Sequence, residues 1–306
     1  MSMRRFLGLD LGGTDIKVAV LEQAAGADRP RVTFTARHAT HAERGPRGVT
    51  DRLIEVGHST IDEVGPVETA GLGVPGLFDA DTGKILLFPN LPGPWPGHSL
   101  RDPVGDGLGV PTALINDARA FLLAEGTLGA GRHCRIVIGL TLGTGIGGGI
   151  MIDGHIHLGA FGTAGEVGHQ IIVPDGPLCG CGNRGCLEAL ARAQALADMV
   201  GVPDVKTVCE RAAAGDRKSL AAIDTVAGYI GTGLANVITL LGPDCIVIGG
   251  GIMNAGEIVL EPIRRATRAR VRLAPVDEIE IVPTEFGISA GAIGAALAGR
   301  AQLDVR

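Results

Sequence analysis

Residues 8–14 read G-L-D-L-G-G-T, and residues 139–145 read G-L-T-L-G-T-G. In both stretches an apolar strand runs into a glycine turn, and a second apolar strand follows. The chain therefore carries a faint internal repeat. We interpret it as two related domains that face each other across a cleft.

The elements predicted around the repeat alternate between strand and helix, which indicates the α/β class. Residues 143–149 are interpreted as one glycine turn, with the return strand starting after it. Strands are predicted at 6–10, 16–21, 32–36, 70–74, 112–115, 135–142, 150–152, 245–248 and 279–283. Helices are predicted at 46–64, 117–128, 187–199, 205–214, 217–241, 256–270 and 288–300.

Composition and charge narrow the function classes. The 306 residues include 45% hydrophobic and 3% aromatic side chains, and the net charge is −6. Scattered basic residues argue against nucleic acid as a partner. We expect no signal peptide and no apolar stretch long enough to span a membrane, which favours a reduced, cytoplasmic setting. Cys134, Cys209 and Cys245 are interpreted as ordinary core residues.

The most specific motif is C-G-C-G-N-R-G-C-L-E at residues 179–188, which starts ten residues after His169. Three thiolates and one imidazole form the closed tetrahedral ligand set of a structural zinc site. Disulfides or unrelated buried thiols are the alternative, but they would need neither the local glycines nor the histidine. The predicted ligands are His169, Cys179, Cys181 and Cys186. The metal would hold Glu166 and Glu188 in place.

Both glycine turns are candidate phosphate sites, because glycine lets backbone amides approach phosphate oxygens closely. Asp10 adds a carboxylate suited to hydrated Mg²⁺. Tight hairpin turns are the alternative, but two matched turns that each hold a threonine favour nucleotide binding. A third glycine run, 249–251, follows a buried strand and suits either a simple turn or the approach of adenine and ribose.

Asp117 stands between a predicted strand and a predicted helix. It is either the N-cap of that helix or a general base at the carboxyl end of the strand. The residues alone leave both interpretations open.

The motifs D-x-G-G-T, G-V-P-G, P-N-L, N-D, L-G-T-G-I-G-G-G, G-E-x-G-H, C-G-C-G-N-x-G-C-L-E and the late G-G-G occur in this order along the chain. Together they resemble the ROK family of sugar kinases and repressors, in the actin-like/hexokinase-like ATPase superfamily. The resemblance runs from about residue 6 to the last helix. It implies two actin-like (ribonuclease H-like) α/β domains. The smaller would comprise 1–117 plus 288–306, and the larger would comprise 118–287 with the zinc loop.

The resemblance also implies a role for individual residues. Asp117 would be the catalytic base, and the zinc ligands would be the four residues already named. The nucleotide residues would be Asp10, Gly12, Gly13, Thr14, Lys17, Gly143, Thr144, Gly145, Gly249, Gly250 and Gly251. The sugar residues would be Gly76, Asn90, Asn116, Glu166, His169 and Glu188.

The implied activity is phosphorylation of a hexose at the 6-hydroxyl by ATP with Mg²⁺ and structural Zn²⁺, glucose being the expected sugar. The alternatives are N-acetylglucosamine, N-acetylmannosamine, fructose or mannose as acceptor, polyphosphate as donor, a non-catalytic sugar sensor, or a structural zinc protein. Neither nucleic acid nor membrane is an expected partner, and a homodimer or homotetramer is implied. Arg192 departs from the family pattern, because a small hydroxyl residue is expected there.

Overall fold

The computed structural model describes residues 3–89 and 91–303. The chain forms two compact units, Met1–Ala124 with Ile288–Arg306 and Glu125–Gly287. We call them the first and the second unit. The domain bounds expected from the sequence, 1–117 with 288–306 and 118–287, stay a prediction.

Strands and helices alternate along the described residues, as expected for the α/β class. The strands are β1 (Met3–Leu11), β2 (Asp15–Ala24), β3 (Arg31–Ala39), β4 (Thr69–Val74), β5 (Leu77–Phe78), β6 (Ile85–Leu87), β7 (Thr112–Asn116), β8 (Ile136–Leu142), β9 (Ile146–Ile152), β10 (His155–Ile156), β11 (Cys245–Gly249) and β12 (Glu280–Pro283). The helices are α1 (Gly45–Val64), α2 (Arg101–Leu108), α3 (Asp117–Thr127), α4 (Leu187–Ala191), α5 (Ala193–Val200), α6 (Val205–Ala213), α7 (Arg217–Leu241), α8 (Glu257–Arg268) and α9 (Ala290–Ala301).

The sheet of the first unit has the order β3-β2-β1-β4-β7 among the described strands. β1 pairs antiparallel with β2 and parallel with β4, and β4 pairs parallel with β7. The carboxyl ends of β1, β4 and β7 therefore share one edge of the sheet. Open α/β sheets bind ligands at that edge.

Helix α9 packs very closely against this sheet. A Cβ on Gly8 of β1 would lie 1.9 Å from the carbonyl oxygen of Ala292, and one on Gly71 of β4 would lie 1.8 Å from that of Ala295. Side chains at these two strand positions would force the helix off the sheet. The glycines therefore set how close α9 lies to β1 and β4.

The sheet of the second unit has the order β10-β9-β8-β11-β12 over the described strands. β8 pairs antiparallel with β9 and parallel with β11, just as β1 pairs with β2 and β4. Each glycine turn joins the first two strands of its own sheet. The repeat seen in the sequence is therefore a repeat of structure, and the α/β prediction is confirmed.

Helix α7 corrects one expectation. By length and composition it is the one helix among the described residues that could cross a membrane, although no such stretch was expected. Within its most apolar window, 61% is buried inside the protein. Residues such as Ile223, Ile230 and Leu234 are at most 2% exposed, in a core with β8 and β11. The helix is apolar on several sides because it is packed on several sides in the core of the second unit.

The helix predicted at 187–199 forms as two helices. Arg192 between α4 and α5 has extended backbone angles, φ −66° and ψ 160°. It occupies the N-cap of α5, which is a position that favours small hydroxyl residues. Among the described residues its side chain makes no capping hydrogen bond. Arg192, the residue that departs from the expected family pattern, is therefore the N-cap of a helix.

Candidate active site

The first glycine turn lies at the end of β1. The Gly12 amide donates a 2.9 Å hydrogen bond to the Asp15 carbonyl, and the Thr40 hydroxyl donates one of 2.7 Å to the Gly12 carbonyl. A Cβ on Gly12 would lie 2.9 Å from the Asp15 carbonyl oxygen, so the turn requires glycine there. Gly13 and Thr14 are exposed at its tip. Their amides and the Thr14 hydroxyl can reach an external phosphate.

Asp10 is a carboxylate buried beside this turn, with 7% of its surface exposed. Lys17 Nζ lies 2.9 Å from its Oδ2 atom. A Cβ on Gly291 would lie 2.6 Å from Oδ2, and one on Gly73 would lie 3.2 Å from Oδ1. Two glycines that were not predicted as site residues therefore make room for the Asp10 carboxylate.

The end of β7 settles which residue caps α3. Asn116 Oδ1 accepts hydrogen bonds from the backbone amides of Ala118 at 3.1 Å and Arg119 at 3.2 Å. This is the N-cap arrangement, so the interpretation of Asp117 as the N-cap is wrong. Asp117 is the first helical residue and is exposed, and its Oδ1 also accepts from the Ala118 amide at 2.8 Å.

The Gly76 turn is tied to the same asparagine. Asn116 Nδ2 donates a 3.2 Å hydrogen bond to the Gly76 carbonyl. Gly76 has φ +78°, and a Cβ there would lie 2.2 Å from the Leu87 carbonyl oxygen. Asn116 thus fixes the Gly76 turn beside Asp117 at the edge of the first sheet. Asn90, also predicted as a sugar residue, lies outside the described residues.

In the second unit, the turn between β8 and β9 adjoins the third glycine run. The Gly143 amide donates a 2.9 Å hydrogen bond to the Gly145 carbonyl, and Thr144 is exposed at the tip. A Cβ on Gly250 would lie 2.3 Å from the Leu142 carbonyl oxygen. A Cβ on Gly143 or Gly251 would meet no described atom within 4 Å. The two glycine runs thus form one region, with open space next to the backbone.

The glycine turn is shorter than the sequence predicted. Strand β9 begins at Ile146, so the next three glycines lie within a strand and not in the turn. A Cβ on Gly148 would lie 2.6 Å from the Gly165 carbonyl oxygen, and one on Gly168 would lie 2.0 Å from that of Ile146. Glycine is needed there because the segment that carries Glu166 and His169 packs backbone to backbone against β9.

Glu188, in the first turn of α4, contacts both the glycine turn between β8 and β9 and the segment 179–186, which we call the cysteine loop. Its Oε2 accepts a 2.9 Å hydrogen bond from the Ile146 amide, and a Cβ on Gly145 would lie 2.5 Å from the same oxygen. Its Oε1 lies 3.7 Å from Cys179 Sγ. The second unit therefore brings Glu188 together with the glycine turn and with the predicted metal ligands.

The donor atoms of His169, Cys179, Cys181 and Cys186 all lie within 4.8 Å of one another. Cys179 Sγ lies 3.7 Å from His169 Nδ1, and Cys181 Sγ lies 3.7 Å from Cys186 Sγ. Tetrahedral zinc, with bonds of about 2.3 Å to sulfur and about 2.0 Å to nitrogen, separates its ligand atoms by roughly 3.5–3.8 Å. The four side chains fit that geometry.

Electrostatics at the thiols also matches a cation site. Burial raises the pKa of the Cys179 thiol, and burial followed by the two neighbouring cysteines raises the pKa of Cys186 to about 12. A hydrogen bond from the Asn183 backbone amide lowers the pKa of Cys181. Three adjacent thiolates need a positive charge among them, because otherwise burial and mutual repulsion keep protons on the thiols.

Comparisons with known proteins identify the family of this chain. The ROK family matches residues 6–301. A glucokinase from Thermotoga maritima is 35% identical, with 97% of each chain covered. The crystal structure of a ROK family glucokinase from Streptomyces griseus in complex with glucose and AMPPNP superposes with a TM-score of 0.82 at 32% identity, covering 98% of this chain and 100% of that one.

A ROK hexokinase from Thermus thermophilus gives a TM-score of 0.81 at 34% identity, covering 99% of this chain and 100% of that one. These matches confirm the actin-like fold and extend over nearly the whole length of both partners in each comparison. The match begins at β1 and ends in α9, so it includes both sheets and both glycine turns. The chain belongs to the ROK family.

Proposed function

We propose that this protein is a kinase that transfers the γ-phosphoryl group of ATP to the 6-hydroxyl of glucose. The observation that carries the proposal is the cap at α3. Because Asn116 caps the helix, Asp117 stands exposed in its first turn as a carboxylate at the carboxyl edge of the first sheet. The 35% identity to a glucokinase over 97% of both chains supports the same activity.

Asp117 acts as the general base. Its carboxylate accepts the proton of the sugar 6-hydroxyl while that oxygen forms its bond to the γ-phosphorus. The bond between the γ-phosphorus and the bridging oxygen breaks, and the electron pair leaves with ADP.

The glycine turns bind the phosphates in this proposal. The amides of Gly13 and Thr14 and the hydroxyls of Thr14 and Thr144 donate to phosphate oxygens, and Lys17 adds a positive charge. Gly12 and Gly143 close the two turns through their own amide hydrogen bonds and keep the backbone accessible. Mg²⁺ supplies charge neutralisation on the transferring phosphoryl group when bound. Asp10 fits a hydrated Mg²⁺ because its carboxylate lies beside the Thr14 turn. Gly249, Gly250 and Gly251 allow the flat approach of the nucleoside.

The hexose hydroxyls are assigned to Glu166, His169 and Glu188, together with Asn90, Asn116 and the Gly76 turn. We propose that Zn²⁺ binds His169 through Nδ1, because that nitrogen faces Cys179. The opposite ring nitrogen then keeps its proton and donates to a sugar hydroxyl. The remaining proposed zinc ligands are Cys179, Cys181 and Cys186.

A coupled assay of ADP release tests this proposal. Glucose, N-acetylglucosamine, N-acetylmannosamine, fructose and mannose are compared as acceptors, with ATP or polyphosphate as donor. Glucose with ATP should give the highest kcat/KM. Sugar binding without ADP release would instead identify a sensor, and a preferred acetamido sugar would overturn the assignment of glucose.

Family resemblance supports two further proposals about the working protein. It acts as a homodimer or homotetramer, and it takes part in glucose metabolism in the cytoplasm, where thiols stay reduced. Sedimentation of the purified chain checks the first, and fractionation of cells checks the second.

A further inference from the structure

A second thiol cluster lies in the second unit, outside the site described above. Cys134 precedes β8, Cys245 begins β11 and Glu280 begins β12. Their donor atoms all lie within 4.8 Å of one another. From the sequence the two cysteines were interpreted as ordinary core residues, because they are far apart in the chain and no motif connects them.

Sheet pairing holds these three residues in place. Cys245 is the register partner of Glu280 in the parallel pairing of β11 with β12, so both side chains project from the same face. Cys245 is also the partner of Val137 in β8, three residues after Cys134. The Cys134 amide donates a 3.0 Å hydrogen bond to the Gly131 carbonyl, which fixes the turn before β8.

A neighbouring carboxylate fixes the backbone around the cluster. Asp244 Oδ2 accepts hydrogen bonds from the amides of Arg135 at 3.0 Å and Ile136 at 2.7 Å. The Asp244 carbonyl accepts from the Glu280 amide at 3.0 Å. One residue thus ties the segments that carry all three donor groups, and little rearrangement is needed to bring the donors to a single ion.

We propose that Cys134, Cys245 and Glu280 form a second metal site, specific for a thiophilic divalent ion such as Zn²⁺. Two sulfurs and a carboxylate oxygen are ligands that Zn²⁺ accepts, and a water completes the tetrahedron. Cys245 is fully buried, Cys134 is half-buried and Glu280 is exposed, so the ion enters from the side of Glu280.

The charge around the cluster is negative, as a cation site requires. Burial raises the pKa of the Cys245 thiol, and Cys134, Glu280 and Asp244 raise it further. Burial also raises the pKa of Cys134, with smaller contributions from Glu280 and Asp244. A bound divalent ion would replace the two thiol protons and offset the negative charge of the Glu280 carboxylate.

This site is separate from the cysteine loop. The cluster lies at the amino ends of β8 and β11, whereas Glu188 and the Gly143 turn lie beyond the carboxyl end of β8. Seven residues of strand separate the two ends, which corresponds to about 20 Å. Metal at the second site therefore braces the amino edge of the sheet without touching the proposed substrate residues.

Zinc content per chain tests the proposal directly. The full-length protein is saturated with Zn²⁺, freed of excess metal and examined by native mass spectrometry. The wild type should hold two ions, and Cys134→Ser and Cys181→Ser should hold one each. The double variant should hold none. Cys209→Ser is the control and should keep both, since Cys209 belongs to neither cluster.

Co²⁺ gives a second readout that does not depend on enzyme activity. In the Cys181→Ser background, Co²⁺ should give a thiolate charge-transfer band. That band should disappear with Cys134→Ser, and Glu280→Gln should weaken Co²⁺ binding by about tenfold or more. A wild type with one ion that Cys134→Ser retains would overturn the proposal, and so would a Cys134–Cys245 disulfide in the isolated protein.

Discussion

The Glu188 carboxylate accepts a 2.9 Å hydrogen bond from the Ile146 backbone amide. Ile146 is the residue at which the second glycine turn becomes β9, and Glu188 follows the cysteine loop by two residues. One contact therefore couples the proposed phosphate turn to the proposed sugar residue. Glycine at position 145 leaves the space that the carboxylate occupies.

Alanine at position 145 should weaken sugar binding more than nucleotide binding. Its Cβ would lie 2.5 Å from Glu188 Oε2, so the carboxylate must move away and lose the Ile146 amide. Loss of a charge-assisted hydrogen bond corresponds to about tenfold or more in affinity. In steady-state kinetics, Gly145→Ala should raise the KM for glucose more than the KM for ATP.

Gly143→Ala is the matched control on the same turn. Its Cβ would meet no described atom within 4 Å, so the fold should tolerate it, while the methyl group fills the proposed phosphate space. This variant should raise the KM for ATP and leave the KM for glucose unchanged. Equal effects of both variants on both KM values would contradict the assignment.

Loss of the proposed zinc of the cysteine loop should weaken sugar binding. Cys181→Ser removes one of the four ligands, and the loop then no longer holds His169 and Glu188 in place. We expect a rise of about 10- to 100-fold in the KM for glucose, with a small change in the KM for ATP. Cys209→Ser should match the wild type. An unchanged KM for glucose in zinc-depleted Cys181→Ser would show that the metal does not orient the sugar residues.

Glu125 is expected to be among the most important residues for stability in the second unit. The carboxylate is fully buried and accepts four hydrogen bonds, from the amides of Ala130, Glu285 and Phe286 and from the hydroxyl of Thr284. Glu125→Gln places an NH₂ group against these donors. Urea unfolding should show a loss of about 2–4 kcal/mol.

Glu285→Gln is the comparison for that variant. Its carboxylate is half exposed and pairs with Arg132, so its removal should cost about 0–1 kcal/mol. A Glu125→Gln variant as stable as Glu285→Gln would mean that the buried carboxylate contributes no more than a surface ion pair.

Arg192→Thr should stabilise the protein. The backbone at 192 already has the extended angles of an N-cap, and a threonine oxygen there can accept from the amide of Gln194 or Ala195 in the first turn of α5. Compared with Arg192→Ala, the threonine variant should gain about 0.5–1 kcal/mol in chemical denaturation. Equal stability of the two variants would show that the cap of α5 is already satisfied by solvent.

Much of the fold could be predicted because its signals are local. β1, β4, β7 and α7 begin and end close to where hydrophobic runs and flanking glycines placed them. The proposed zinc ligands could be picked out for the same reason, because three of them fall within eight residues, and the structure brings all four donor atoms together. The prediction that the glycines after Thr144 all belong to one turn was wrong, because strand β9 begins at Ile146. Glycine marks both a turn and a close backbone contact, and the contacting segment lies about twenty residues further on.

Features that depend on contacts between distant residues could not be predicted. Nothing near Glu125 in the sequence indicates that residues 284–286 donate hydrogen bonds to it. Cys134 and Cys245 looked like core residues because sheet pairing alone brings them together. Likewise, the sequence left Asp117 open as the N-cap of α3, and only the hydrogen bonds of the Asn116 side chain show which residue caps the helix.

The central claim is that Asp117 removes the proton from the sugar hydroxyl. Asp117→Asn keeps the shape of the side chain and removes its basicity. Asp106→Asn, an exposed change on α2, is the control. The proposal predicts that the asparagine variant lowers kcat for glucose phosphorylation by about 10²- to 10⁴-fold. Its glucose Kd, measured by calorimetry, should stay within about threefold of the wild type. A kcat within about threefold of the wild type would contradict the assignment of the base.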